Sequence, residues 1–482
     1  MKSAVLEGCG GEATGTNRGG KENILKNLTL EHIAGACGGV YIGPEEQRGL
    51  EVTAVTTDSR KTEPGCLFVP IAGNRADGHD FIPQVMEAQA ACTLSERDLG
   101  AQEYPYILVK SSLQAVKDIA AYYLEQLAVP VVGITGSVGK TSTKEAIAAV
   151  LAQKYRVLKT QGNFNNELGL PLTVFRLRED DEIAVLEMGI SDFGEMHRLA
   201  AIARPDICVI TNIGYCHLEN LGDRDGVFRA KTEMFQHMKE NGTVILNGDD
   251  DKLCQVEEVH GKKPVFFGLK DSSGIYAKNI RSQGLKGISC TVCTPKGEFD
   301  VTIPIPGQHM VYNALAGTAV GLACGLSLEE ICRGIESLQP VSGRFHIIET
   351  EKYTIVDDCY NANPMSMKAS LGLLKDALGR KIAVLGDMGE LGSREAQLHA
   401  EVGAFAAGCG LDLLVCAGPL CAHMAQAARE GNPGLPVVYL ENREQLMERL
   451  PGLLRDGDTI LVKASHFMEY GKVVELLEKE GA

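Results

Sequence analysis

The sequence has no uninterrupted apolar run of the roughly 18 residues that a membrane-spanning helix requires. Its first stretch, residues 1–23, lacks the apolar core of a secretory signal and is rich in Gly, Thr and charge, so a disordered leader is expected there. Nor is there an excess of positive charge. Forty-seven basic side chains face 63 acidic ones, a formal net charge of −16, and such a surface repels nucleic acid and anionic membranes. Any anionic substrate must therefore be drawn in by local cations, loop amides and metal ions. A disulfide framework is also missing, because the fifteen cysteines are odd in number and scattered. Several, such as Cys208 and Cys416, sit within apolar segments, the usage expected of buried thiols in a reducing cytosol. The single C-x-x-C, Cys290 and Cys293, has no second pair at zinc-ribbon spacing. It lies in a β-like stretch where a separation of three points the two thiols to opposite faces, so no metal is expected there. Internal repeats, low-complexity segments and an Asn/Thr-Lys-x-Asp guanine-reading element are likewise absent, the last arguing against a GTP switch.

What is present is an ordinary globular composition, 44% hydrophobic and 23% charged, over 482 residues. At roughly 150 residues per domain this length predicts about three domains. Residues 24–128 alternate short helical and strand-like pieces, with a buried strand over 66–71 after the turn Pro64-Gly65 and a helix over 112–127. Residues 129–340 open on a β-branched run (129–135), a Gly-rich loop and a helix over 140–152. Buried strands follow at 183–186, 207–210 and 243–246, then a β-hairpin excursion over 279–306 and a helix over 311–324. Residues 341–482 carry strands at 354–356, 382–385, 413–415, 437–439 and 459–462 between helices. Strands and helices alternating at this spacing predict open, parallel α/β sheets covered on both faces.

The strongest chemical signal is Gly133-Ile-Thr-Gly136-Ser137-Val138-Gly139-Lys140-Thr141-Ser142, between a strand and a helix. Glycines let backbone amides turn inward around phosphate oxygens, and the helix N-terminus adds partial positive charge. Lys140 then reaches the β- and γ-phosphates of ATP, and Thr141 ligates Mg²⁺. Five residues rather than four separate Gly133 from Gly139, which assigns the tight turn to Gly136. Glu187 ends a buried strand, where a carboxylate faces the ligand crevice of such sheets and holds metal. His217, in a loop, and Lys231, fourteen residues later in a helical piece, are ambiguous alone: each could be a solvated surface residue.

Together, Thr135-Gly-Ser-Val-Gly-Lys-Thr-Ser142, Glu187, His217 and Ala230-Lys231 resemble the central domain of the Mur ligases, which build peptidoglycan precursors. Thr57-Asp58-Ser59-Arg60, with Asp77-Gly-His79 behind it, is similar to the UDP-sugar domain of that family. Gly162-Asn163-Phe-Asn165-Asn166, Asp358-Cys-Tyr-Asn-Ala-Asn-Pro364 and Gly386-Asp-Met-Gly-Glu-Leu-Gly392 resemble the branch that acts fourth in the pathway. The resemblance implies a cytoplasmic, monomeric α/β enzyme of three domains: an N-terminal UDP-sugar domain, a central P-loop ATPase-like parallel-sheet domain and a C-terminal Rossmann-like domain that closes over the others. It implies UDP-N-acetylmuramoyl-tripeptide and D-alanyl-D-alanine as partners, with ATP and two Mg²⁺ ions as cofactors. It also implies that Lys231 is converted by CO₂ to a carbamate that holds the second Mg²⁺ beside His217. Asn313 matches the adenine-contacting Asn of the family, its alternative being a helix cap. Arg344 and Asp358 match the phosphate and ribose contacts, with a plain surface Arg–Asp pair as the alternative. Asp58, Ser59 and Arg60 fall against the UDP-muramoyl group, though they also read as a turn and cap. Asn163, Asn165 and Asn166 fall against the sugar and peptide, or simply brace a loop. Lys463-Ala-Ser-His466 departs from the family's Lys-Gly-Ser-Arg, and no ligand contact is assigned there.

Overall fold

A computed structural model describes residues 24–73, 76–375 and 377–482; the expected leader, 1–23, lies outside the described residues. Among the described residues the chain forms three sheets of five, nine and six strands. The described residues divide into two compact units, one of residues 24–130 with 160–184 and 201–203, the other of the remainder.

The first unit holds β1 (Val40–Ile42), β2 (Val55–Thr56), β3 (Leu67–Phe68), β4 (Cys92–Ser95) and β5 (Tyr106–Leu108), in the spatial order β1-β5-β4-β3-β2. All the pairings are parallel except β1 with β5. The expected strand over 66–71 contracts to the two residues of β3, because the chain leaves the sheet at Pro70. The helix Ser112–Leu127 runs as expected from a Ser111 cap, whose hydroxyl accepts from Gln114 N–H, to a left-handed Ala128.

In the second unit the nine-stranded sheet comprises β6 (Val131–Thr135), β7 (Val157–Lys159), β8 (Ile183–Glu187), β9 (Ile207–Ile210), β10 (Thr243–Asn247), β11 (Val265–Gly268), β12 (Ile275–Ser282), β13 (Ile288–Thr294) and β14 (Gly297–Ile303). Their order is β14-β13-β12-β11-β10-β9-β6-β8-β7. From β6 through β9, β10, β11 and β12 the pairing is parallel. The hairpin expected over 279–306 is instead a three-stranded antiparallel meander, β12-β13-β14, begun earlier at Ile275 and joined to the sheet's edge. Cys290 and Cys293 lie buried in β13, and the fourteen cysteines of the described residues form no disulfide.

The six-stranded sheet contains β15 (His346–Glu349), β16 (Tyr353–Asp357), β17 (Arg380–Gly386), β18 (Leu413–Ala417), β19 (Val437–Leu440) and β20 (Asp458–Lys463), ordered β15-β16-β20-β17-β18-β19. It is parallel but for the edge strand β15, which the sequence pattern did not disclose. Alternate residues feed two separate cores: Ala383, Leu385, Leu414 and Cys416 on one face, Ile382, Val384, Leu413 and Val415 on the other. Both faces being buried is why these strands read as continuous apolar runs. Truncating one such residue, for example Leu385→Ala, costs about 2–5 kcal/mol.

Candidate functional site

The phosphate-type loop is shaped by two glycines. Gly136 has φ +152°, and a Cβ there would come within 1.9 Å of Thr211 Oγ1, so no other residue fits. Gly139, at φ +81°, turns the chain into the helix Lys140–Leu151. Between them the loop is pinned by the segment following β9. Ser137 N–H donates to Asn212 O and Val138 N–H to Asn212 Oδ1, both at 3.0 Å. Thr211 Oγ1 and Asn212 Nδ2 donate back to Val138 O at 2.7 and 2.9 Å. The first-turn amides of the helix have no intrahelical acceptor and point toward the loop, the arrangement that holds anionic phosphate.

Lys140 Nζ donates to Gly136 O at 2.8 Å, so its charge lies over the loop. Thr141 Oγ1 donates to Glu187 Oε1 at 3.3 Å, and both side chains are buried. Ser142 is half-buried one residue further along the same turn. Lys144, one helical turn after Lys140, is buried 3.1 Å from Glu145 Oε1 and 3.9 Å from Glu187 Oε2, balancing part of the acid's charge. From the segment before β15, Arg344 reaches the same hydroxyl: its Nη2 donates to Thr141 Oγ1 at 3.3 Å while its guanidinium stacks 3.9 Å from the Tyr360 ring centre. The contact joins residues 203 positions apart.

Lys231 is fully buried on the helix Arg224–Thr232, and among the described residues its Nζ has no hydrogen-bond partner. Burial, with a smaller push from Lys140, pulls its amine down from the ordinary lysine value to about 8. His217 takes a left-handed backbone conformation (φ +51°) at the start of the short helix Leu218–Leu221. Its Nδ1 lies 2.7 Å from Glu390 Oε2, and the imidazole holds the exposed Glu390 carboxyl below its ordinary value. Glu390 belongs to the loop after β17. Two anchors fix that loop: Met388 N–H donates to the buried His399 Nε2 at 2.9 Å, and Gly389 N–H to Ser465 Oγ at 2.9 Å. His399 Nδ1 donates in turn to Glu395 O at 2.7 Å, which sets its tautomer.

Asn313 lies inside the helix Gln308–Ala323, whose cap is Gly307, so the helix-cap alternative is wrong. Its buried Oδ1 accepts from Thr143 Oγ1 at 2.8 Å, next to Gly139. Asp358 does not pair with Arg344. It accepts from Lys463 Nζ at 2.6 Å, Ser370 Oγ at 2.5 Å and Phe345 N–H at 3.2 Å. The second unit thus brings together Lys140, Thr141, Glu187 and Arg344, sets Asn313 beside the loop, and gives Lys231 and His217 distinctive surroundings.

The remaining sequence-derived residues belong to the first unit. Asp58 caps a 3₁₀ turn by accepting from Arg60 N–H, and the exposed Arg60 side chain doubles back onto it through Nε and Nη2, each at 2.8 Å. Ser59 begins that turn. Asn166 Oδ1 accepts from Leu168 and Gly169 N–H at 3.2 and 2.8 Å, opening the helix Gly169–Val174. Asn163 is exposed and its carbonyl accepts from Asn165 N–H at 2.7 Å.

The donor set fits magnesium nucleotide. Thr141 and Glu187 supply the hard oxygens that Mg²⁺ prefers. Among the described residues no trio of His, Cys, Asp or Glu converges into a ready-made metal cage, so a bound Mg²⁺ would need phosphate oxygens and water to complete its coordination. The sequence reading assigned no site role of their own to Asn212, Lys144, Glu390 and Lys463. Asn212 follows a strand end as Glu187 does, and Lys144 lies one turn from Lys140; both signals were available. Glu390 and Lys463 act only through tertiary contacts.

Comparison with known proteins agrees along nearly the whole chain. Family models for the Mur ligase middle domain, the Mur ligase glutamate ligase domain and the Mur ligase catalytic domain match residues 134–321, 343–466 and 51–135. A UDP-N-acetylmuramoyl-tripeptide–D-alanyl-D-alanine ligase of Bacillus subtilis is 38% identical over 452 residues, covering 93% of this chain and 97% of the relative. A crystal structure of MurF from Acinetobacter baumannii superposes with TM-score 0.86 at 32% identity, covering 94% of this chain and 99% of that one. MurF from Thermotoga maritima, solved in complex with ADP, matches with TM-score 0.79 at 31% identity over 89% of this chain and 97% of the other. Among the described residues no helix is long and apolar enough to cross a membrane.

Proposed function

The chain belongs to the Mur ligase family, and from that premise we propose that it joins D-alanyl-D-alanine to UDP-N-acetylmuramoyl-tripeptide at the expense of ATP, in peptidoglycan precursor synthesis. The observation that carries this reading is the buried Thr141–Glu187 contact beneath a glycine-shaped loop, with Arg344 reaching the same hydroxyl. In the reaction the terminal carboxylate of the tripeptide attacks the γ-phosphorus of ATP, giving an acyl phosphate and ADP. The amine of the dipeptide then attacks the acyl carbon, forms the amide and releases phosphate.

A carboxylate approaching a polyphosphate is repelled, so the site must concentrate positive charge where the two meet. Lys140 and Arg344 supply it from side chains, the loop amides from the backbone. Thr141 and Glu187 hold Mg²⁺, which when bound neutralises phosphate charge and orients the transferred group. Lys231 is suited to a second role. Only a neutral amine adds CO₂, and an amine brought down to about 8 is partly neutral at physiological pH. As a carbamate, Lys231 together with His217 would hold a second Mg²⁺, which would supply further positive charge for the phosphates. Asn313 contacts adenine, and Asp358 contacts ribose through lone pairs left over from Lys463. Asp58, Ser59 and Arg60 bind the UDP diphosphate, Arg60 exchanging its Asp58 partner for phosphate. Asn163, Asn165 and Asn166 face the sugar and peptide. The domains run 24–128, 129–340 and 341–482, and the enzyme works as a cytoplasmic monomer.

ADP release against a panel of UDP-muramoyl peptides and amines tests the proposal. The expected result is turnover only when UDP-N-acetylmuramoyl-tripeptide and D-alanyl-D-alanine are both present, and the same panel separates tripeptides ending in lysine from those ending in diaminopimelate. Nucleotide hydrolysis indifferent to the amine would overturn it in favour of a nucleotide-driven switch.

A further inference from the structure

We propose that the loop after β17 forms the subsite for the dipeptide zwitterion, with Glu390 receiving its ammonium end and Arg394 its carboxylate. The assignment rests on the ligase reading above. A zwitterion needs an anion for its ammonium end and a cation for its carboxylate end. It also needs the anion next to the reacting centre, since the ammonium must give up a proton, which a carboxylate can accept, before its nitrogen becomes the nucleophile.

The loop supplies both charges. Glu390 is exposed, and its Oε2 stands 2.7 Å from His217, whose neighbour Cys216 donates its Sγ–H to Ser137 Oγ of the phosphate loop at 3.2 Å. Gly392 (φ +61°) folds the chain against the backbone of Glu219, so the loop runs along the 215–219 segment. Arg394, four residues past Glu390, is exposed and lies 5.4 Å from the centre of the Tyr215 ring, two residues before His217. Acid and base thus sit over His217 and Tyr215 respectively.

Arg394 is also the guanidinium there with donors to spare. Arg224, on the same ring at 5.8 Å, spends its donors on both oxygens of Asp251 and on Ile213 O. Arg344 is committed to Thr141 and Tyr360. Among the described residues Arg394 forms no ion pair, and the Tyr215 face orients its planar fork without consuming an N–H. A guanidinium over an aromatic face, with N–H groups that enter no ion pair, is suited to bidentate carboxylate recognition. The two side chains that read the substrate would also hold its ends in opposite directions, so the amine is presented to the acyl phosphate rather than the carboxylate.

Steady-state kinetics of the full chain with D-alanyl-D-alanine and with its C-terminal amide test the assignment. The wild-type chain is expected to favour the acid by about 10- to 100-fold in kcat/KM, the range of one charge-assisted contact. Arg394→Ala should lose that preference through a raised KM for the dipeptide, with KM for ATP and for the UDP-muramoyl peptide unchanged. Arg394→Lys, which keeps the charge but not the fork, should retain part of it. An Arg394→Ala enzyme that ligates and still prefers the acid over the amide overturns the subsite while leaving the ligase reading intact. A wild-type chain that ligates neither dipeptide overturns that reading and the subsite with it.

Discussion

His217 Nδ1 and Glu390 Oε2 approach to 2.7 Å, and both residues hold left-handed backbone conformations, φ +51° and +60°. Each such conformation in a non-glycine residue costs on the order of 1–3 kcal/mol, a cost typical of functional positions. The pair links the loop after β17 to the loop after β9. Since the carboxylate is exposed, the contact itself stabilises the fold by about 0–1 kcal/mol at most. Glu390→Ala is therefore expected to leave the denaturant midpoint nearly unchanged while ligation falls tenfold or more. Parallel unfolding and ligation assays check the split; a loss of stability matching the loss of rate would assign Glu390 a structural role only.

Lys140→Ala removes the charge that lies over the loop without disturbing the core, because among the described residues its Nζ bonds only to Gly136 O. Loss of one such electrostatic contact costs about 3–4 kcal/mol in the transition state, or roughly 10²–10³ in rate. The expected outcome is a folded protein, judged by circular dichroism, with ligation reduced by that factor. Near-normal turnover would remove Lys140 from the mechanism.

Lys231 sets a pH dependence whose sign follows from its burial. The folded amine is brought down to about 8, so its neutral fraction is roughly a tenth at pH 7 and nine-tenths at pH 9. At fixed dissolved CO₂, carbamate content should rise as pH passes through about 8, and intact-protein mass spectrometry after rapid trapping reads it directly. Lys231→Ala should be inactive, and partly restored by acetate or formate that occupies the vacated anion position. Full wild-type activity in CO₂-free buffer would exclude the carbamate.

Lys463 and Asp358 form a buried pair at 2.6 Å, with side chains 3% and 12% exposed. Removing the cation leaves an uncompensated acid, so Lys463→Ala should destabilise the protein by roughly 3–5 kcal/mol. Asp358→Asn in the Lys463→Ala background should recover part of that loss, because the neutral amide is cheaper to bury. Chemical denaturation of the single and double variants measures both.

Local order determined what the sequence could disclose by itself. The loop 136–142 is legible because a phosphate cradle is made by consecutive amides between a strand and a helix, and its glycines are required by the backbone's own geometry. The sheets of the second unit were legible for a related reason: strands buried on both faces must be apolar throughout, whatever they pack against. Glu187 could be found at a strand end for the same reason. The short edge strand β15 carries no such mark and emerged only in the folded chain, as did the division of 275–303 into three strands rather than two. Asn313 had a helical neighbourhood that sequence could not divide between cap and interior. The Arg344–Thr141 bond, the His217–Glu390 pair, the Lys463–Asp358 pair and the isolation of Lys231 were decided by tertiary structure alone. Charge partners and burial depend on which distant segments share a surface, and those separations, up to 203 residues, leave no local periodicity to read.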